Sequence, residues 1–395
     1  MGVWGTPSYR RVRAILLYWI RGPRGKSGAG DFERVSGFTI QQLLGLLQDR
    51  GGSDLILTAG QRPQLRVLGA LESVETTPLT AEQSRELAYS LLEPAQIQAL
   101  ETTRYLDFSK AFGTARFRFS VYHQRDSVAL AARLIPSQIP SFAELGLPPV
   151  IAELASLPHG LVLITGPAGS GKSTTLAAML DYINHRRQAH IICIEDPIEY
   201  IHQHERCTIA QREIGTDARS FPEALRSVFR QTPDVIMIGE MRDLETMQLA
   251  LTLAETGHLI LSTLHTQDAT HAVNRIADSF PSNQQEQVYM QLSLVLMGVV
   301  SQQLLRTKDM RRRVLACEVM KVNHAIRNLI REAEVQQIYS VIQTGKADDM
   351  TTMNESLLQL CRLDLVDTDT ALARSPRPKE LRQLLELRVP ARRGG

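Results

Sequence analysis

The chain has 395 residues, 43% of them apolar and 22% charged, an ordinary globular composition with length enough for two domains that each bury a core. Lysine and arginine outnumber aspartate and glutamate by only 44 to 42, and aromatics make up 5%. The chain therefore lacks both the global basic field and the aromatic supply that a nucleic-acid translocase calls for, and no nucleic-acid partner is expected. The apolar run Ala14 to Ile20 is too short for a membrane span, which needs about 20 residues, and no signal-peptide cleavage site follows it. Cys193, Cys207, Cys317 and Cys361 form no CxxC pair, which argues against a zinc ribbon or a thioredoxin-type motif and is simplest in a reducing cytosol.

Residues 1–36 carry six Arg/Lys before the first acid, Asp31, and are expected as a basic flexible tail. Residues 37–135 read as an α+β domain. A helical pattern, FTIQQLLGLLQDRGG, precedes the alternating segments DLILTAG and PQLRVLGAL, a helix ends near Leu100, and ARFRFSVYHQ and SVALAARLIP resemble paired strands. The proline-punctuated stretch IPSQIPSFAELGLPP supplies a linker at 136–149. From 150 to 365 strands and helices alternate: GLVLIT, TTLAAMLDYINHRR, HIICIED, FPEALRSVFRQ, DVIMIGE, LETMQLALTLAETG and HLILSTL. That order implies an α/β fold with a mostly parallel sheet and helices on both faces. Residues 366–395 are expected as a C-terminal tail.

The strongest chemical signal is GPAGSGKST at the first turn of this sheet, which fits G-x-x-x-x-G-K-[ST] between a strand and a helix. Gly166, Pro167, Gly169, Ser170 and Gly171 would let backbone amides curl around phosphate oxygens, helped by the positive end of the helix. Lys172 would reach the β/γ-phosphates and Ser173, followed by Thr174, would ligate Mg²⁺, so ATP and Mg²⁺ are the expected cofactors. The apolar strand in DVIMIGEMRD delivers Glu240 to the same edge, where a carboxylate can polarise an attacking water. Gly239 stands where many phosphate-loop ATPases carry a Mg²⁺-associated Asp. In IEDPIEY, Pro197 ends the second strand and gathers Glu195, Asp196 and Glu199 near the phosphate loop.

The stretch TGHLILSTLHT has a histidine at each end of a strand. Residues seven apart along a strand lie about 20 Å from each other, so His258 and His265 cannot share a metal. Only His265, at the carboxyl end, is placed to face a ligand.

These segments, together with AIRNLIRE, resemble the twitching-motility (type IV pilus retraction) ATPases of the secretion-ATPase superfamily over about Phe38 to Cys361. The resemblance implies a RecA-like phosphate-loop domain with a smaller PAS-like α+β amino-terminal domain. It implies a homo-hexameric motor in the cytoplasm, peripherally bound at the inner face of the cytoplasmic membrane through a pilus platform protein. Its two histidines form a "His box": His265 would contact the γ-phosphate region, and His258, counted with the nucleotide-binding set, would support the strand at its other end. Arg118 and Arg133 match arginines that the family donates to the nucleotide. The family's SDLHL is SDLIL here, with Ile56 in place of histidine.

A pilus-assembly or type II secretion ATPase is the alternative, although such relatives usually carry a four-cysteine zinc element and lack AIRNLIRE; an accessory retraction paralogue is another. In AIRNLIREAEVQQIYSVIQTG, Asn323 is expected to cap one short helix and Gly345 to end a second. Arg327 and Arg331 would then share a face that couples ring motion to a partner. On that reading Leu329→Ala or Ile330→Ala leaves ATP hydrolysis and abolishes retraction.

Overall fold

The computed structural model describes residues 38–386 apart from 68, 69, 114, 137 and 311, so the basic stretch 1–36 and the end of the chain lie outside the described residues. The chain divides into two compact units, one running to Leu106 and including Ser120–Ala132, the other made of Asp107–Phe119 and Arg133 onward.

The amino-terminal elements begin with the helix Ile40–Asp49. Thr39 accepts the Gln42 amide and the Gln42 side chain accepts the Thr39 amide, a reciprocal cap. Ile40, Leu43, Leu44 and Leu47 are buried along one stripe, the spacing of a core-facing helix. Six strands follow: β1 (Gly52–Leu57), β2 (Gln64–Val67), β3 (Ala70–Ser73), β4 (Tyr105–Phe112), β5 (Ala115–Gln124) and β6 (Ser127–Ile135), in the order β3-β2-β1-β6-β5-β4. Along β5, Ala115, Phe117, Phe119 and Val121 are buried while Arg118 is exposed, the period-two alternation of a strand with one covered face.

The second sheet contains β7 (Gly160–Thr165), β8 (His190–Glu195), β9 (Thr208–Glu213), β10 (Val235–Ile238), β11 (Leu259–Leu264), β12 (Leu296–Arg306) and β13 (Arg313–Lys321), ordered β13-β12-β7-β11-β10-β8-β9. All neighbours pair parallel except β12 with the edge strand β13. Every residue of β7, β10 and β11 is buried, as expected where helices cover both faces. Alternation along one strand feeds both layers: Leu161 and Leu163 belong to one apolar cluster, Val162 and Ile164 to the other.

Two expectations need correction. Residues 366–386 are no tail: they form the helices Thr368–Arg374 and Pro378–Glu386, whose Ala371 and Leu381 pack with Met353, Leu357 and Val366. Each helix buries a single residue, too few to write a helical period into the sequence. The AIRNLIRE segment forms the helix His324–Arg331 with Asn323 as its cap, but its exposed face is made of His324, Ala325, Asn328 and Arg331 and leaves out Arg327, Leu329 and Ile330. Ile326 and Ile330 are fully buried, and Leu329 is half-buried against the same cluster. The Arg327 guanidinium donates to the Ser293 and Leu294 carbonyls at 2.8 Å each, closing the carboxyl end of the helix Gln285–Val295; of the two arginines, Arg331 is the exposed one.

Candidate active site

β7 turns through Gly166–Gly171 into the helix Lys172–Asn184. Gly166 has φ 138°, and a Cβ there would run into the Gln302 carbonyl of β12 and sit 2.7 Å from Ser170 Oγ. Only glycine fits. The loop borders a cavity of about 520 Å³ that includes Gly169, Gly171, Lys172, Ser173 and Thr174 on one side, Glu195, Asp196, Glu199, Tyr200 and His202 on another, and Glu240, Arg242, Thr263 and His265 between them.

Lys172 is 8% exposed, and Nζ donates to the Gly166 carbonyl at 2.8 Å and the Pro167 carbonyl at 3.0 Å. Burial lowers its pKa, while the Glu240 and Glu199 carboxylates work in the opposite direction. Nζ also lies 3.3 Å from His265 Nδ1, and His265 Nε2 lies 3.1 Å from Glu240 Oε1. An ammonium only donates, so Nδ1 accepts and the ring proton belongs on Nε2, where it donates to Glu240. Arg242 Nε reaches the other Glu240 oxygen at 2.8 Å. The result is a continuous chain, Lys172–His265–Glu240–Arg242, along the carboxyl edge of β7, β11 and β10.

Two further groups shape the floor. Glu195 is 6% exposed; burial pushes its carboxyl up to about 7, against the hydrogen bonds from Gln211 and the Glu199 amide. Burial also pushes the His202 imidazole down to about 4, so it is neutral at neutral pH. Thr174 Oγ1 and Tyr200 Oη are 2.9 Å apart, tying the phosphate loop to the acidic loop.

The donor set fits a polyphosphate and a hard cation. Ser170 Oγ is buried with no partner among the described residues, the Lys172 ammonium rests on carbonyls of the glycine turn itself, and carboxylates and hydroxyls are the oxygen ligands that Mg²⁺ takes.

The structure brings together Gly169, Gly171, Lys172, Ser173, Thr174, Glu199, Glu240 and His265 around the cavity, with Gly166, Pro167 and Ser170 immediately behind it. His258 is not among them. It stands at the amino end of β11, its Nδ1 2.9 Å from the Leu253 carbonyl and 3.1 Å from Thr256 Oγ1, and does not line this cavity. Arg118 on β5 and Arg133 on β6 are exposed and do not line the cavity. Tyr200, His202 and Arg242 do line it without having been singled out. Tyr200 closes the quoted IEDPIEY stretch and Arg242 follows Glu240 by two, so proximity in sequence was the available signal.

The family model described as type II/IV secretion system protein matches residues 148–363. The chain is 44% identical over 341 residues to the type IV pilus retraction ATPase PilT of Pseudomonas aeruginosa, covering 86% of this chain and 99% of that protein. It is 42% identical over 349 residues to the type IV pilus ATPase PilU of the same organism, covering 88% and 91%. A crystal structure of the pilus retraction motor PilT with bound ADP matches with a TM-score of 0.83 and 46% identity, covering 88% of this chain and 99% of that one. The chain belongs to the type II/IV secretion system protein family.

Proposed function

We propose that the chain is a motor ATPase that couples ATP hydrolysis to type IV pilus retraction. One observation carries the reading: Lys172, Ser173, Glu240 and His265 converge on a single cavity in a chain that matches a retraction ATPase over nearly all of that protein's length. In this reading Lys172 exchanges the Gly166 and Pro167 carbonyls for phosphate oxygens. Glu240 accepts the proton of the attacking water while Arg242 and His265 hold its carboxylate in place. His265, bonded to both Lys172 and Glu240, registers whether the lysine is on a phosphate or on the loop. The Ser173 hydroxyl would hold Mg²⁺, with Asp196 and Glu199 on the same cavity as further oxygen groups, and the ion would neutralise phosphate charge. Arg118 and Arg133 are proposed as further cationic donors to the transition state. A homo-hexameric ring and a platform protein at the inner face of the cytoplasmic membrane complete the proposal; no helix among the described residues is long and apolar enough to cross a membrane.

The near-equal identity to PilT and PilU favours a second reading in the same class, an accessory retraction motor. A null mutant tests both. Surface pili that persist without retracting identify a primary motor, while retraction that weakens only under load identifies an accessory one. Absent pili sink retraction altogether.

A further inference from the structure

Strand β9 carries no recognised motif, yet its side chains hold the acidic loop that follows β8. Gln211 and Glu213 are two apart and share a side of the strand. Gln211 Nε2 donates to Glu195 Oε1 at 3.0 Å and to the Tyr200 carbonyl at 2.8 Å, and its Oε1 accepts the His202 amide at 3.0 Å. Glu213 Oε2 accepts the Ile198 amide at 3.2 Å, and Glu195 Oε2 accepts the Glu199 amide at 3.3 Å. Residues 196–204 form no helix or strand, so side chains satisfy backbone groups that a ladder would otherwise hold. Gln211 does not line the cavity, but three of its contacts end on residues that do.

A carboxamide suits this place because it offers two N–H donors and an acceptor at one end of one side chain. Glutamate would keep the acceptor for His202, lose both donors and set a second carboxylate against Glu195. Methionine would keep the length and lose all three bonds.

We infer that Gln211 is a positioning residue for hydrolysis: it fixes the loop 195–202 so that Glu195 and Glu199 face the phosphate loop. The inference rests on the ATP-hydrolysis reading above. The test compares wild type with Gln211→Met and Gln211→Glu in amide hydrogen exchange over 196–204 without nucleotide, ATP turnover, ADP affinity and melting temperature. The expected result is loop exchange faster by about fivefold or more, the factor for each hydrogen bond lost. Turnover should fall by about tenfold to a hundredfold, the range for a misplaced catalytic group, with ADP affinity kept and both variants, though lower in melting temperature, still folded at the assay temperature. If Gln211→Met does not fold, Gln211→Glu, with its length and acceptor preserved, carries the test. Unchanged loop exchange overturns the inference. So does faster exchange with unchanged turnover, or a turnover loss matched by an equal loss of ADP affinity. A wild-type protein that hydrolyses no ATP fails differently: it sinks the hydrolysis reading and takes the inference with it, whatever the exchange shows.

Discussion

At the carboxyl end of β11, His265 lies between the Lys172 ammonium and the Glu240 carboxylate. At the amino end, His258 rests its Nδ1 on the Leu253 carbonyl and the Thr256 hydroxyl, while its own carbonyl accepts the Gly160 amide at 3.0 Å. The same side chain on the same strand meets two chemistries because a parallel sheet has two unlike edges. At the carboxyl edge helices begin, so free amides and ligand-binding loops gather there. At the amino edge helices end, and an imidazole arriving there finds carbonyls of a last turn that other groups must satisfy, here that of Leu253 in the helix Leu244–Glu255, which also accepts the His258 amide and the Thr256 hydroxyl. Which edge a residue occupies decides whether it can reach a phosphate, and the comparison can be broken from either side.

The largest effect is expected at the carboxyl edge. Lys172→Ala removes the ammonium that lies against both the glycine turn and His265, and steady-state ATP turnover should drop to background. Undiminished turnover would mean that the cavity is not where the chemistry happens. Glu240→Gln should follow, with ADP binding kept and turnover reduced by about two to four orders of magnitude. The glutamine oxygen can still accept from His265, so a loss of ADP binding would reassign Glu240 to holding the edge together.

Away from both edges the expected currency is stability. Ile330→Ala truncates a fully buried side chain and should cost about 2–5 kcal/mol, lowering melting temperature and turnover together. Loss of motility with an unchanged melting curve would restore the segment to a coupling surface. Glu318, 1% exposed on β13, accepts the Ala269 amide at 3.0 Å. Burial pushes its carboxyl from 4.5 up to about 7, with the Asp268 charge adding to the rise and Arg377 opposing it. A carboxyl whose folded pKa is raised holds its proton in the native state after the unfolded chain has released it. Its contribution therefore falls as pH rises from about 4.5 to about 7. Glu318→Gln should flatten that part of the denaturant-measured stability profile, and an unaltered slope would show that the group does not titrate there.

How much of this was legible in the sequence follows the same division. β7, β10 and β11 are short apolar runs bounded by turn residues, and the glycine turn has a spacing tied to phosphate chemistry, so the central sheet and Lys172, Ser173, Glu240 and His265 could be placed from the chain alone. β9 was not legible, since TIAQRE gives the core only Ile209 and Ala210, while Gln211 and Glu213 go to loop groups. β12 was missed because the helix Gln285–Val295 runs into it with no turn residue between them, and an unbroken apolar stretch does not say where one period stops. Arg327 was misread for a related cause: periodicity places a residue on a helix face, but only the fold reveals that the carbonyls of Ser293 and Leu294 lie opposite it.

The smallest expected effect separates the two histidines. His258→Ala removes a hydrogen bond to the Leu253 carbonyl at a half-buried position, worth about 1 kcal/mol, and leaves the cavity untouched. Melting temperature should fall slightly while turnover per folded molecule stays at the wild-type level. His265→Ala should do the reverse. The side chain is 47% exposed, so little packing is lost. Lys172 and Glu240, however, are no longer linked, and turnover falls at a melting temperature close to wild type. Measured side by side, the pair is sensitive to the edge rather than to the residue type. If both variants lost turnover equally, His258 would have to act on a nucleotide that its own chain does not bring near it, and a second copy of the chain would have to supply that nucleotide's cavity.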